Sequence, residues 1–507
     1  MKKNLVLLLA MMLCLLFCLS GCGKTASQEP PPAEPEEAEL SVPDPKLSVT
    51  ELQFVVSGAD ELNALEEYPN LVQLDLRGST CYAEIADYIA THPDIKVVYD
   101  VAIGDTIYPM DTASLTLTNG MFTSAELMEK LVYLPMVTEL SLPQTTLSRE
   151  ELLTLDAQYP EIITSYTVML LGEEIPGDIE TLDLSNLMSG QVEDAVQALS
   201  RLTALTEVQL MPKEETSTLT PADVKLLMDA APEAEIFYSF QLFGKTITTS
   251  DERVEFTRVN IGDQGVEQVR QALEILPHCN YFLMDCCDVS DEVLASLRDE
   301  YPEKNIVWRI FYAGGQSCLT DVTVFRTIGD LYDSNVKQLK YLKDVVYMDI
   351  GHCYHLTDIS FIGYMPKLKV LIMSDCHTPN LEPLRVCKEL EWLEIVNCNQ
   401  VTDLSPLADC VSLRGVNMSF LFGADDLSPL YGLENLERLF MGRNDLPQET
   451  IDEARAALPN CWVTDKSESV QWISFNYSIG WRLDDEHTLA DWYLEICPIF
   501  GYTRKIY

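Results

Sequence analysis

Apolar residues at L-x-x-L-x-L-x-x-C spacing recur every 22 or 23 residues, and few folds accommodate that period. Val345, Met348, Ile350 and Cys353 form one block. Leu368, Leu371, Met373 and Cys376 form the next, and Leu390, Leu393, Ile395 and Cys398 follow. A unit this short cannot bury its apolar side alone, so copies must stack. The spacing predicts an α/β solenoid of short parallel strands lining one concave surface.

A second motif follows each strand: Thr357-Asp358-Ile359-Ser360-Phe361-Ile362, Asn380-Leu381-Glu382-Pro383-Leu384, Thr402-Asp403-Leu404-Ser405-Pro406-Leu407, and Asp426-Leu427-Ser428-Pro429-Leu430. Proline within such a short apolar spacing favours a 3₁₀ or turn-like convex side over a full helix. With this period, residues 341–445 resemble the leucine-rich-repeat family, and Val401–Leu407 resembles internalin-type repeats. That resemblance implies a curved array that recognises a protein or peptide on its concave face. Cysteine stands where the family more often has asparagine, and neither a sortase-type motif nor an immunoglobulin-like domain is evident.

A longer period runs through residues 48–340, expected as an irregular leucine-rich-repeat region. Pro93, Pro160, Pro232 and Pro302 are 67, 72 and 70 residues apart. Gly104, Gly172, Gly244 and Gly314 follow them by 11 or 12 positions, and Asp111, Asp178, Asp251 and Asp321 come 6 or 7 later. Four copies of one unit of about 70 residues are present. Each is expected to carry a helix before the proline, such as 148–159 or 220–231. Strands such as 166–170 and 182–184 then follow. Residues 57–67 are expected as the first helix, 341–465 as the regular repeats, and aromatic-rich 466–507 as a cap over the open end of the array.

Because strand side chains alternate, inward Leu371 and Met373 put Val370, Ile372 and Ser374 on the other face. Stacking then aligns Tyr347, Val370, Trp392, Gly415 and Arg438 in one stripe, with Asp349, Ile372, Glu394, Asn417 and Phe440 beside it. Aromatic rings rimmed by charge suit a binding surface, so these are the candidate ligand-contacting residues. The alternative is that a flanking loop or the 466–507 segment covers some of them.

Lys2 and Lys3 precede a 15-residue apolar run, Leu5–Leu19, too short to span a bilayer as a helix, and then Leu19-Ser20-Gly21-Cys22. This resembles the lipobox of bacterial lipoproteins. The resemblance implies export, removal of residues 1–21, and diacylglyceryl transfer to Cys22 at the outer face of the membrane or envelope. More than one acyl chain gives a stable anchor. Residues 22–47 are proline- and glutamate-rich and cannot bury a core. The 24 residues from Gly23 to Lys46 could reach roughly 75 Å at about 3.1 Å per residue. Gly21-Cys22-Gly23-Lys24-Thr25 imitates a phosphate loop, but Cys18 stands where its first glycine belongs.

A charge of −46, from 34 basic and 80 acidic residues without any basic run, excludes nucleic acid as an expected partner. Of the 15 cysteines, Cys353, Cys376 and Cys398 fall at the ladder position and are expected to pack inward as thiols. His352-Cys353 and Cys376-His377 have zinc-type ligands on neighbouring repeats, but their side chains should diverge. No catalytic motif stands out, and no metal, cofactor or catalytic site is expected. The expected function is recognition of a protein or peptide by a lipid-anchored surface protein. A glycan or cell-wall ligand, an envelope scaffold and an unrecognised hydrolase are the alternatives.

Overall fold

A computed structural model of the chain describes residues 44–211, 218–465 and Ile499. The expected signal segment, Cys22, most of the 22–47 linker and the 466–507 cap lie outside the described residues, apart from Ile499. No helix among the described residues is long and apolar enough to cross a membrane. The chain divides into two compact units, Met1–Asp111 with Val132–Pro135, and Thr112–Leu131 with Met136–Tyr507.

In the first unit, strands Glu51–Gln53, Gln73–Asp75 and Lys96–Val98 pair in parallel and bring Leu52, Leu74 and Val97 into register. The expected first helix is an α-turn at Ala59–Asn63 that tightens to 3₁₀ at Ala64–Glu67. Helix Tyr82–Thr91 buries Tyr82, Ile85 and Tyr88. An antiparallel hairpin of Asp100–Ile103 and Thr106–Pro109 follows.

The second unit repeats this plan three times before its regular array. Parallel strands Ser114–Thr116, Glu139–Leu142 and Ile163–Leu170 alternate with helices Ser124–Leu131 and Arg149–Gln158. The strands of the next copy are Thr181–Asp183, Glu207–Gln209 and Glu235–Phe237, with helices Val192–Leu199 and Pro221–Ala230. The last has Arg253–Thr257, Tyr281–Asp285 and Asn305–Tyr312, with helices Gly262–Leu273 and Asp291–Glu300. Each 70-residue unit is therefore three parallel strands, two intervening helices and an antiparallel return strand. This is richer than the single helix and strand pair expected from the sequence.

The periodic residues now have physical roles. Proline follows the second helix, where it cannot extend the ladder. Gly172 and Gly244 sit at φ 84° and 80° behind Leu171 and Phe243, also at positive φ. Two consecutive left-handed residues make the tight turn whose twist matches the flanking strands. Ser148 and Thr220 begin their helices with reciprocal capping boxes to Glu151 and Asp223.

The regular array contains seven parallel strands: Val324–Arg326, Tyr347–Asp349, Val370–Ile372, Trp392–Glu394, Gly415–Asn417, Arg438–Phe440 and Trp462–Thr464. It reaches one strand ahead of the expected boundary at 341. Inward Phe325, Met348, Leu371, Leu393, Val416, Leu439 and Val463 stack in register, all buried. The opposite edge of each repeat is a 3₁₀ turn, as at Ser360–Tyr364, Glu382–Val386 and Ser405–Asp409. Asp358, Asn380, Asp403 and Asp426 accept 2.8–2.9 Å bonds from backbone N–H groups two residues on. That is why an Asp or Asn recurs two residues ahead of each turn. One continuous apolar core runs from Val168 to Val463.

Candidate binding face

The register assembles the residues expected on the outward sheet face. Tyr347, Val370, Trp392, Gly415, Arg438 and Trp462 align in one row. Asp349, Ile372, Glu394, Asn417, Phe440 and Thr464 align in the next. A third row, two positions further on, holds Ser374, Val396 and Ser419.

The expectation that these side chains are open to solvent is corrected. Val370, Ile372, Trp392, Phe440 and Asp349 are at most 6% exposed, and Glu394 and Asn417 are wholly buried. Tyr347 and Arg438 are half-buried. Part of the reason lies within the face. Trp392 and Phe440 meet edge to face at 6.4 Å across the strand that carries Gly415, and Phe440 meets Trp462 at 5.4 Å. Arg438 lies 5.7 Å from the Trp462 ring centroid. Rings this large gain by leaving water, and these geometries suit their quadrupoles.

The polar groups of the face are held in specific ways. Trp392 Nε1 donates to Glu394 Oε1 at 2.8 Å. Asp349 Oδ1 accepts from Gly351 N at 3.1 Å, and Arg326 Nε lies 3.6 Å from its Oδ2. Asn417 Oδ1 accepts from Ser419 N at 3.1 Å. Three donors, however, are left over: Asn417 Nδ2, Ser374 Oγ and Ser419 Oγ are buried without a hydrogen-bond partner among the described residues. Such groups each cost about 1–3 kcal/mol when left unmade.

The loops leaving the strands form a rim. Gly329, His352, Asp375, Asn397, Phe420 and Arg443 occupy one position in successive repeats, all at φ 58° to 79°. His352 Nδ1 lies 2.6 Å from Asp375 Oδ2, and Asn397 Nδ2 donates to Asp375 Oδ1 at 2.6 Å. Five of the six are not glycine. The repeat thus tolerates a left-handed backbone at this position, where His352, Asp375 and Asn397 link side chain to side chain and Arg443 lies 5.6 Å from the Phe420 ring centroid.

The ladder cysteines lie inside. Cys376 Sγ donates to Ile350 O at 3.4 Å and Cys398 Sγ to Met373 O at 3.1 Å, all three ladder thiols being wholly buried. Burial pushes the Cys398 thiol up to about 12. A hydrogen bond to Cys353, with burial, holds Cys376 well above its ordinary value. His352 instead turns to Asp375, while its neighbour Cys353 is wholly buried.

The sequence reading missed Arg326, Trp462, Thr464 and the third row apart from Ser374. The signal for Arg326 was available: Phe325 precedes Met348 by 23 residues, so the period already included its strand.

The repeats have leucine-rich-repeat form. No protein-family model matches the chain, and no curated protein matches it. Among solved structures, the chain is similar to an internalin of Listeria monocytogenes, at 16% identity over 82% of this chain and 80% of that one, with a TM-score of 0.23. A second Listeria monocytogenes structure, internalin C2, is 17% identical over 55% of this chain and 92% of its own, with a TM-score of 0.25. A leucine-rich-repeat protein of Leptospira interrogans is 13% identical over 83% and 96%, with a TM-score of 0.23. The form of the repeats rests on the register and burial above.

Proposed function

We propose that this chain is a recognition protein, carried on the outer face of a bacterial membrane by lipid on Cys22, whose outward sheet face grips an extended polypeptide. The observation that carries this reading is the set of buried, unpartnered donors at Ser374, Asn417 and Ser419 on a face otherwise packed with aromatic and acidic side chains. Backbone carbonyls are the acceptors such donors suit, and every polypeptide offers them at regular spacing. Recognition, and not turnover, is the mechanism: a rigid sheet holds its contacts in place, which limits the ordering cost of binding. The lipobox and the polar linker fit display at the cell surface.

A glycan ligand is the weaker reading. A glycan lacks the regularly spaced backbone carbonyls that these donors suit. The test is capture from envelope and extracellular fractions by the soluble chain from residue 44 on and by Gly415→Arg, which adds a long charged side chain between Trp392 and Arg438 in their row. Both proteins must first melt at the same temperature. A protease-sensitive partner held by the parent alone supports the proposal; equal capture by both removes the site from this face.

A further inference from the structure

We propose that a cavity beside the last three strands of the regular array binds a small zwitterion, an α-amino acid or short peptide with an apolar side chain. Nothing in this site depends on what occupies the sheet face. The cavity measures about 530 Å³, a size typical of small-molecule sites. Phe420, Phe422, Arg443, Asn444, Asp445 and Asp465 line it, all from the chain that follows strands Gly415–Asn417, Arg438–Phe440 and Trp462–Thr464. Phe422 leaves half its surface exposed, and Leu446 adds apolar lining.

The polar groups of this cavity are incomplete without a ligand. Asn444 is 5% exposed, and its Oδ1 accepts from Leu421 N at 3.1 Å, but its Nδ2 has no hydrogen-bond partner. A buried donor left in that state is costly. In a chain with 80 acidic residues, Arg443 still makes no ion pair among the described residues, its guanidinium carbon lying 5.6 Å from the Phe420 ring centroid. Asp445 makes none either. Asp465 differs, since Arg455 donates to it at 3.0 Å and meets its charge. The charges that remain are one cation, Arg443, and one anion, Asp445. A simple anion would be repelled by Asp445, and a simple cation would be repelled by Arg443 and would leave Asn444 Nδ2 unfilled. A ligand with both signs and no net charge satisfies all three: its carboxylate accepts from Arg443 and Asn444, and its ammonium donates to Asp445. Its apolar side chain then lies against Phe422 and Leu446.

The test is equilibrium dialysis of the full chain against L-leucine and dileucine, with leucinamide, which lacks the carboxylate, and N-acetyl-leucine, which lacks the ammonium. At least one zwitterion is expected to bind, and each blocked form of leucine to bind on the order of ten-fold more weakly than it. Arg443→Gln and Asp445→Asn should each weaken the bound zwitterion by on the order of ten-fold. Both side chains are exposed, so the two variants should melt with the parent. Leucine held as tightly as dileucine identifies a free amino acid as the ligand, and dileucine held alone identifies a short peptide; either supports the proposal. Failure of both zwitterions to bind at millimolar concentration overturns it. So does equal binding of the blocked forms, or affinity unchanged in both variants.

Discussion

Trp392 and Glu394, two positions apart on one short strand, bond to each other at 2.8 Å on the outer side of a sheet, with no more than 1% of either exposed. A buried carboxylate is costly unless its lone pairs are filled. Trp392→Phe keeps the ring and removes the donor, so it is expected to cost about 1.5–3 kcal/mol, the range for a bond to a charged group. Urea denaturation checks this, and Glu394→Gln should cost less because no charge is left buried.

Acid should weaken the last of the 70-residue units through Asp285. Arg309 donates to both its oxygens, at 2.8 and 2.9 Å, and these bonds hold the carboxyl below its ordinary value. A lowered folded-state value means the stabilisation is complete above the unfolded value of about 3.9 and is lost as pH falls through the folded one. Arg309→Gln should therefore flatten the fall of melting temperature between pH 5 and pH 2. An unchanged slope would remove this pair from the acid response.

Two helix starts give an additive test. Ser148→Ala and Thr220→Ala each break a reciprocal cap and are expected to cost about 1 kcal/mol. They lie in different units, so the double variant should lose the sum to within a few tenths of a kcal/mol. Thermal denaturation of the four proteins measures it.

Thiol labelling should separate the cysteines sharply. Cys286 is exposed, whereas burial pushes Cys387, Cys398 and Cys410 up to about 12. Among the described residues, iodoacetamide mass mapping of the native chain should find Cys286 modified first. The ladder thiols should react only after unfolding. Burial, then Asp285, raise the Cys286 thiol as well, so its labelling should keep accelerating above pH 9.

The regular repeats were legible because their signal is redundant: each of Leu371, Leu393 and Leu439 repeats a neighbour's environment, so one register explains them all. The 70-residue unit was legible as a period but not as a structure. Its proline and glycine mark the ends of elements, whereas short strands such as Glu207–Gln209 carry too few residues to announce themselves. The face was legible in which residues align and illegible in whether they meet water. Alternation places Trp392 and Asn417 on the outer side, but their burial depends on contacts distant in sequence, which no local spacing encodes. Unpaired donors at Ser374 and Ser419 are likewise visible only in three dimensions.

Hydroxyl-radical footprinting of the full chain tests most directly whether the outer sheet face is buried. Trp392 and Phe440 should be oxidised as slowly as core Trp308, and much more slowly than Phe311 and Phe422, which are 54% and 50% exposed. Oxidation of Trp392 and Phe440 at the pace of those exposed phenylalanines would contradict the account.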